Sequence, residues 1–311
     1  MSQSCYFSWS PDNEKIAYLR FDESRVKEFS MTYYGQLYPQ EYKYKYPKAG
    51  EDNSLVSVHV YNLKNKTTQN IDLGDNSNCY FPRIYWLNNS SDLMVLKMNR
   101  HQNKLDFFRC NINTNEKELV YSDENSAWLD VTDDYFFLDD NKSMIVTSER
   151  NGFNHIYHVV FNGKITQLTN GKWEVAHICA VDKTNKLIYY LSNESNVLNR
   201  DLYCIDFSGK KKKMLSNGKG WNEATFSPTC RYYRNVYSDA NTPPVYTLHE
   251  SSGKMLRVLN DNAVYKEKMK AYHFSAKELF SFKTPDNVEL NGWMIKPPYF
   301  DENKKYPVLM Y

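Results

Sequence analysis

The stretch Ile16–Gly50 combines charged and aromatic side chains of the kind that active-site loops contain. An apolar run typical of a β-strand, Ile16–Leu19, passes into the charged segment Arg20–Glu23, and a Tyr-rich insertion follows. Because Asp22 and Glu23 come directly after the strand, we interpret them as a charge cluster at a strand end rather than as a catalytic pair.

The insertion itself allows two interpretations. Its tyrosines are Tyr33, Tyr34, Tyr38, Tyr42, Tyr44 and Tyr46. One interpretation is a loop that packs against its own sheet. The other is an arm that covers the entrance to a cavity or contacts a partner subunit, because exposed aromatic surface is typical of interfaces.

Residues that bind metals do not form a recognisable site in the sequence. His155 and His158 are three apart, and on a strand this spacing places them on opposite faces. The cysteines are widely scattered without a C-x-x-C pair, which favours buried free thiols over a zinc site. They are Cys5, Cys79, Cys110, Cys179, Cys204 and Cys230. We therefore predict neither a metal nor a cofactor.

Composition narrows the classes of function. The 311 residues can bury a sizeable core, in one or two domains, and the net charge of +2 gives no footprint for nucleic acid or an acidic membrane. The basic run Lys210–Lys213 is short and is typical of a solvated turn. Aromatic residues make up 15% of the chain, which indicates a folded protein rich in strands. No apolar run is long enough to span a membrane, and the first residues lack the pattern of a signal peptide.

One pattern recurs five times along the chain. A bulky apolar residue precedes a short polar turn, and an alternating strand follows. The bulky residues are Trp9, Trp86, Phe137, Val181 and Phe226, separated by 77, 51, 44 and 45 residues. Removing an insertion of about 30 residues from the first interval brings it close to the ~40–50-residue period of propeller blades.

Each repeat carries further strand patterns. Hairpin turns are predicted at Asn162–Lys164 and Ser208–Lys210, and a short strand follows each of them. Four strands per repeat is the composition of a β-propeller blade. Only Asp261–Lys270 is a helix candidate. The sequence thus predicts an all-β fold in which residues 1–271 form about five four-stranded blades.

After residue 271 the pattern changes. We predict a linker at 272–278 and a hairpin made of Phe280–Lys283 and Leu290–Lys296. The last run, Tyr306–Tyr311, is continuously apolar, as in a buried strand of a parallel sheet. We therefore expect residues 279–311 to be the first strands of a second, truncated domain.

Six segments in this order resemble the dipeptidyl peptidase IV family of serine peptidases, within the prolyl oligopeptidase group. The segments are SWSPDNEKIAYLRFDES from Ser8, YPKAG from Tyr46, TNGKWEV from Thr169, YYLSNES from Tyr189, VYTLHESSGK from Val245 and NGWMIKPPYFDENKKYPVL from Asn291. A WSPD turn alone is unspecific, whereas the ordered set is highly specific and spans residues 7–311.

The resemblance implies an eight-bladed propeller followed by an α/β-hydrolase domain, of which this chain supplies the later blades and the first hydrolase strands. It further implies a peptidase that removes N-terminal dipeptides with Pro or Ala next to the cut. In such an enzyme the propeller gates and lines the substrate cavity. A relative that releases tripeptides and a non-catalytic propeller used for protein interaction remain alternatives.

The residues that carry the family's chemistry are not expected within this chain. A serine nucleophile of an α/β-hydrolase sits on a G-x-S-x-G turn, and the sequence contains none. The resemblance places the serine, acid and histidine beyond Tyr311, and the oxyanion-stabilising tyrosine about two positions past it. The family's paired glutamates, which bind the substrate's α-amino group, would lie upstream of Met1. We therefore predict no catalytic residue here and an inactive isolated chain.

Mammalian members of this family have an aromatic–Arg pair in a blade loop that faces the substrate cavity, and the corresponding segment, Trp128–Asp130, lacks it. Trp128 and Asp130 either line the cavity or belong to a loop packed at a blade edge, so the substrate-binding residues stay unknown. The resemblance also allows a homodimer of the full-length protein in the periplasm, in secretions or at the cell surface. Only secretion from a eukaryote would give meaning to the glycosylation sequons at Asn65, Asn89 and Asn193.

Overall fold

A computed structural model describes residues 6–310 of the chain. Within this range the strands form five four-stranded antiparallel sheets and two separate hairpins. The chain divides into two compact units, one up to Asn170 and one from Gly171 onwards.

The first unit contains sheets 1 to 3. Sheet 1 consists of β1 (Phe7–Trp9), β2 (Lys15–Asp22), β5 (Leu55–Asn62) and β6 (Thr67–Ile71), and the hairpin of β3 (Glu28–Tyr33) and β4 (Gln40–Lys45) lies between β2 and β5 in the sequence. Sheet 2 consists of β7 (Cys79–Trp86), β8 (Asp92–Asn99), β9 (Lys104–Asn111) and β10 (Lys117–Glu124). Sheet 3 consists of β11 (Tyr135–Phe137), β12 (Ser143–Ser148), β13 (His155–Val160) and β14 (Ile165–Gln167).

The second unit contains sheets 4 and 5, a helix and a hairpin. Sheet 4 consists of β15 (Val175–Asp182), β16 (Leu187–Ser192), β17 (Asp201–Asp206) and β18 (Lys212–Met214). Sheet 5 consists of β19 (Trp221–Phe226), β20 (Tyr232–Ser238), β21 (Val245–Glu250) and β22 (Met255–Asn260). Helix α1 (Ala263–Lys270) follows, and the hairpin is made of β23 (Lys277–Lys283) and β24 (Glu289–Ile295).

The core of the first unit lies between the faces of neighbouring sheets. Successive side chains of a strand point to opposite faces, so β8 serves two clusters at once. Leu93 and Val95 pack in the cluster shared with sheet 1, while Met94 and Leu96 pack in the cluster shared with sheet 3. All four side chains are fully buried, which explains why this central strand has a continuous apolar sequence.

The polar turn after each bulky residue is closed by side-chain hydrogen bonds. In the first repeat the Ser10 hydroxyl donates to Asp12 Oδ1 at 2.5 Å and accepts from the Lys15 backbone N–H at 3.0 Å. The bond from Ser10 is the main reason that the pKa of the Asp12 carboxyl lies below its ordinary value. The turn therefore fixes the register of β1 against β2, where Trp9 pairs with Ile16.

The predicted repeats are confirmed. Each of the five predicted repeats forms one four-stranded sheet, and the predicted hairpin turns have a left-handed residue at Gly163 and Gly209. The helix candidate is confirmed as Ala263–Lys270, and the hairpin predicted from Phe280–Lys283 and Leu290–Lys296 is confirmed as β23 and β24. No helix in the described part of the chain is both long and apolar enough to cross a bilayer.

One question left open by the sequence is narrowed and one expectation differs from the structure. The Tyr-rich insertion, interpreted either as a packed loop or as an arm, forms a regular antiparallel hairpin, β3 and β4. The apolar run that begins at Tyr306 forms no strand as far as Met310, where the description ends before Tyr311. The physical reason is that no other strand between residues 6 and 310 pairs with this run, and Val308 and Leu309 are 83% and 95% exposed.

Candidate functional site

The hairpin of β3 and β4, which we call the aromatic arm (residues 28–45), has two chemically different faces. In an antiparallel pair, opposite residues share a face, and every second residue along a strand returns to it. One face therefore carries the pairs Phe29–Tyr44 and Met31–Tyr42, together with Tyr33. The other face carries Glu28, Ser30 and Thr32 opposite Lys45, Lys43 and Glu41.

The aromatic face of the arm is ordered by its own rings but is open to solvent. Tyr42 lies 5.5 Å from Tyr44 and 6.1 Å from Tyr33, measured between ring centroids. Tyr33 and Tyr42 are nevertheless 57% and 56% exposed, and Leu37 at the tip is 90% exposed. The loop interpretation predicts that this face packs against sheet 1. The structure shows that it does not, because Tyr33 and Tyr42 are exposed.

Contacts hold the arm at its base rather than along its length. Lys27 forms an ion pair with Glu51 at 2.6 Å, and Val26 is buried. The Arg100 guanidinium donates to the Glu51 backbone oxygen and so ties the base to sheet 2. The arm is therefore a projecting element with a fixed root.

Asp22 and Glu23, the adjacent carboxylates of the sequence, lie at the end of β2 and just beyond it. Asp22 accepts a hydrogen bond from the Ser24 backbone N–H at 2.9 Å, and this bond lowers the pKa of the Asp22 carboxyl. The Ser54 hydroxyl donates to Glu23 at 3.4 Å. Both carboxylates therefore have local structural partners, in line with a charge cluster at the strand end.

The segment Trp128–Asp130 is fixed by its middle residue. Leu129 is buried, and its backbone N–H donates to the Gln102 carbonyl oxygen at 2.8 Å. The Trp128 indole N–H donates to Asp130 Oδ1 at 3.0 Å, while the ring is 49% exposed. The indole and the carboxylate are thus open to a ligand, and their role in lining a cavity stays a prediction.

The two histidines of β13 lie on opposite faces, as the spacing predicts. His155 is buried with Nδ1 3.1 Å from the Thr169 hydroxyl, whereas His158 is partly exposed. Burial lowers the pKa of the His158 imidazole. Within residues 6–310, no group of three or more His, Cys, Asp or Glu side chains is placed to hold a metal ion.

The remaining candidates have structural surroundings. Asp206 accepts hydrogen bonds from the backbone N–H groups of Lys210 and Lys211, so the lysine run belongs to an ordered hairpin turn. The side-chain oxygens of the sequon residues Asn65, Asn89 and Asn193 accept backbone hydrogen bonds. All described cysteines are free thiols: Cys79, Cys110 and Cys230 are buried, Cys179 and Cys204 are partly buried, and Cys5 lies outside the described residues.

Sequence reasoning missed a buried ionic network between sheets 2 and 3. Arg150, just after β12, donates to the Tyr121 hydroxyl at 2.9 Å and to Asp123 Oδ1 at 3.2 Å. The Ser148 hydroxyl donates to the same carboxylate oxygen at 2.9 Å, and the guanidinium lies over the rings of Tyr121 and Tyr157. Tyr121 and Asp123 lie more than 20 residues before Arg150 in the sequence, so no local spacing reveals this contact.

Comparison with known proteins gives these sheets a family. Residues 1–244 match the family described as the dipeptidyl peptidase IV (DPP IV) N-terminal region. The chain is 30% identical to the probable dipeptidyl peptidase 4 of Trichophyton verrucosum, over 97% of this chain and 42% of the relative. Its identity to the dipeptidyl peptidase 4 of Trichophyton rubrum is also 30%, over 97% of this chain and 41% of the relative. The chain thus spans about two fifths of the length of the curated relatives it matches.

Solved structures agree with these matches. The chain is similar to the crystal structure of Porphyromonas gingivalis dipeptidyl peptidase 4, with a TM-score of 0.89 and 38% identity, over 97% of this chain and 43% of that one. A putative dipeptidyl aminopeptidase IV from Bacteroides ovatus, at 24% identity and a TM-score of 0.82, shares the fold. The five sheets are blades of a partial β-propeller, which confirms the predicted all-β class. Because the model of the family's N-terminal region matches residues 1–244, most of this chain, the chain belongs to the dipeptidyl peptidase IV family.

Proposed function

We propose that this chain is the propeller portion of a serine exopeptidase that removes N-terminal dipeptides, with Pro or Ala next to the cut. Its blades would line the substrate cavity and admit peptides by size. The observation that carries the proposal is the match of 97% of the chain to a dipeptidyl peptidase 4 structure at 38% identity. The nucleophile and its base would lie in the part of the protein that this chain does not include.

The C-terminal hairpin supports a second part of the proposal, that residues 1–271 form the propeller, 272–278 a linker and 279–311 the first strands of a hydrolase domain. Strands β23 and β24 pair only with each other among the described strands. Leu279 and Trp293 form a cross-strand pair on one face, and Phe282 and Leu290 form one on the other. All four are between 42% and 56% exposed, and apolar side chains on both faces are typical of a sheet covered on both sides.

We further propose that the aromatic arm contacts a second copy of the protein. The outer part of the aromatic face is exposed at Met31, Tyr33 and Tyr42, and tyrosine-rich surface is typical of protein interfaces. The arm is anchored only at its root, so a second copy could cover its exposed rings without rearranging sheet 1. An arm that instead covers the cavity entrance is the alternative.

Peptidase activity is tested with the full-length gene product and Gly-Pro p-nitroanilide. We expect turnover that a serine-directed fluorophosphonate abolishes, and no turnover by the isolated 311-residue chain, whose sequence contains no G-x-S-x-G. A coding sequence that stops at Tyr311 would favour the non-catalytic interaction protein instead.

The role of the arm is tested by the mass of the full-length protein in solution. Replacing Tyr33 and Tyr42 by Ser is expected to convert a dimer into a monomer, while Lys43→Ser on the opposite face of the arm leaves the dimer intact. A monomeric wild-type protein, or a dimer that survives the double substitution, would contradict the proposed contact.

A further inference from the structure

In the second unit, an arginine is held on a tryptophan without an acidic partner. The Arg200 guanidinium carbon lies 3.9 Å from the centre of the Trp221 ring. Among residues 6–310, no carboxylate lies within ion-pair distance of this guanidinium, and no hydrogen bond from it to a protein acceptor occurs. A planar guanidinium has five N–H donors, so this group retains its full capacity to bind an acceptor.

The backbone fixes the position of Arg200. Its N–H donates to the Gly220 carbonyl oxygen at 2.9 Å, and its own carbonyl oxygen accepts from the backbone and the side chain of Asn222, both at 2.9 Å. Asn222 is buried, and its side chain accepts in turn from Asn235 at 2.9 Å. The arginine therefore starts from a rigid base, which lowers the entropic cost of binding through its side chain.

Both an acidic and a basic side chain lie close to Arg200. Glu223 follows Trp221 on the same exposed face of β19, and its charge acts on Arg200 from beyond ion-pair distance. His177 on strand β15 is exposed at its surface as well, and the pKa of its imidazole is lowered first by partial burial and then by the Arg200 charge. A ligand with both oxygen acceptors and N–H donors fits such a pair of opposite charges.

The group Arg200, Trp221 and Glu223, which we call the patch, lies at one defined end of sheet 5. Trp221 pairs with Ser238 at one end of the sheet, and the loop from that end carries Asn241. Asn241 exchanges hydrogen bonds of 3.1 and 2.8 Å with the backbone of Lys277, the first residue of the C-terminal hairpin. The patch thus lies at the end of sheet 5 from which the proposed hydrolase domain begins.

We propose that Arg200, supported by Trp221 and accompanied by Glu223, binds the main chain of a peptide substrate beyond the two residues that are removed. The guanidinium would donate to a peptide carbonyl or carboxylate oxygen, and Glu223 would accept from a peptide N–H. This inference rests on the proposed peptidase function and assigns to that function a subsite for longer substrates.

The test compares two substrates of the full-length protein, Gly-Pro p-nitroanilide and a hexapeptide that begins with Gly-Pro. In Arg200→Gln, the ratio of the KM for the hexapeptide to the KM for the anilide is expected to rise about tenfold, which corresponds to about 1.4 kcal/mol. Trp221→Ala is expected to shift the ratio in the same direction, whereas Trp221→Phe, which keeps an aromatic ring beneath the guanidinium, shifts it less.

A matched control lies at the other end of the same sheet. Arg231 is stacked on Tyr232 with its guanidinium carbon 5.8 Å from the ring centre, so Arg231→Gln removes the same kind of pair away from the proposed subsite. An unchanged KM ratio in Arg231→Gln and a raised one in Arg200→Gln would support the inference. The same KM ratio in Arg200→Gln as in Arg231→Gln would overturn the proposed subsite but not the proposed peptidase function. A wild-type protein that cleaves neither substrate would overturn the proposed function as well.

Discussion

The ionic network around Arg150 allows a test of the packing between sheets 2 and 3. The side chains of Arg150 and Asp123 are 24% and 10% exposed, so the pair is largely withdrawn from water. Arg150→Met would leave the Asp123 charge with a serine hydroxyl but without its cation. Removing one partner of a buried pair costs about 3–5 kcal/mol, because the other charge remains buried.

A second pair in the same unit provides the contrast. Arg83 and Asp133 form an ion pair at 2.7 Å, but the Asp133 side chain is 76% exposed. Arg83→Met is therefore expected to cost less than about 1 kcal/mol. The double variant Arg150→Met with Asp123→Asn is expected to be more stable than Arg150→Met alone. It recovers part of the lost unfolding free energy because it buries no unpaired charge.

The assay is urea unfolding of the 311-residue chain, followed by amide hydrogen exchange in β9, β10, β12 and β13. Exchange in these strands reports the stability of the first unit separately from that of the second. The reasoning is refuted if Arg150→Met lowers the unfolding free energy of these strands no more than Arg83→Met does.

Three further predictions concern single residues. Gly220→Ala is expected to lower the stability of the second unit by about 2 kcal/mol or more in thermal unfolding. The reasons are that φ is +61° at this residue and that an added Cβ would lie 2.5 Å from the Ser238 carbonyl oxygen. Gly218→Ala is the milder control, because its Cβ would meet nothing closer than 3.7 Å. Iodoacetamide is expected to leave Cys110 unmodified in the folded chain by mass spectrometry, since burial raises the pKa of its thiol to about 12; rapid labelling would contradict this burial. Burial raises the pKa of Tyr189 from 10.0 to about 12, so the unfolded phenol ionises first and the unfolding free energy should fall as the pH rises through that window; a decline equally steep in Tyr189→Phe would rule out this cause.

The blades were predictable because their signals are local. Strand alternation and a polar turn such as Ser10–Asp12 depend on residues next to each other, and these recur in every repeat. The strands of the aromatic arm were missed although EFSMTY and QEYKYK alternate in the sequence, because the insertion interrupts the repeat as one segment. Length and tyrosine content alone therefore suggested a loop.

The candidate sites were less predictable because they join distant segments. Arg150 meets Asp123 across two sheets, and Arg200 reaches Trp221 from the loop before β17. Nothing in the spacing of these residues distinguishes them from other surface arginines. The opposite faces of His155 and His158, by contrast, followed directly from the two-residue period of a strand.

The central claim is that this chain belongs to a protein that releases dipeptides. Its most direct test is mass spectrometry of the products that the full-length gene product forms from a peptide with Pro at the second position and Ala at the third. The account predicts release of the first two residues as an intact dipeptide, with no free amino acid and no tripeptide. Release of a tripeptide would assign the protein to the tripeptide-releasing relatives, and an uncleaved peptide would contradict the proposed activity.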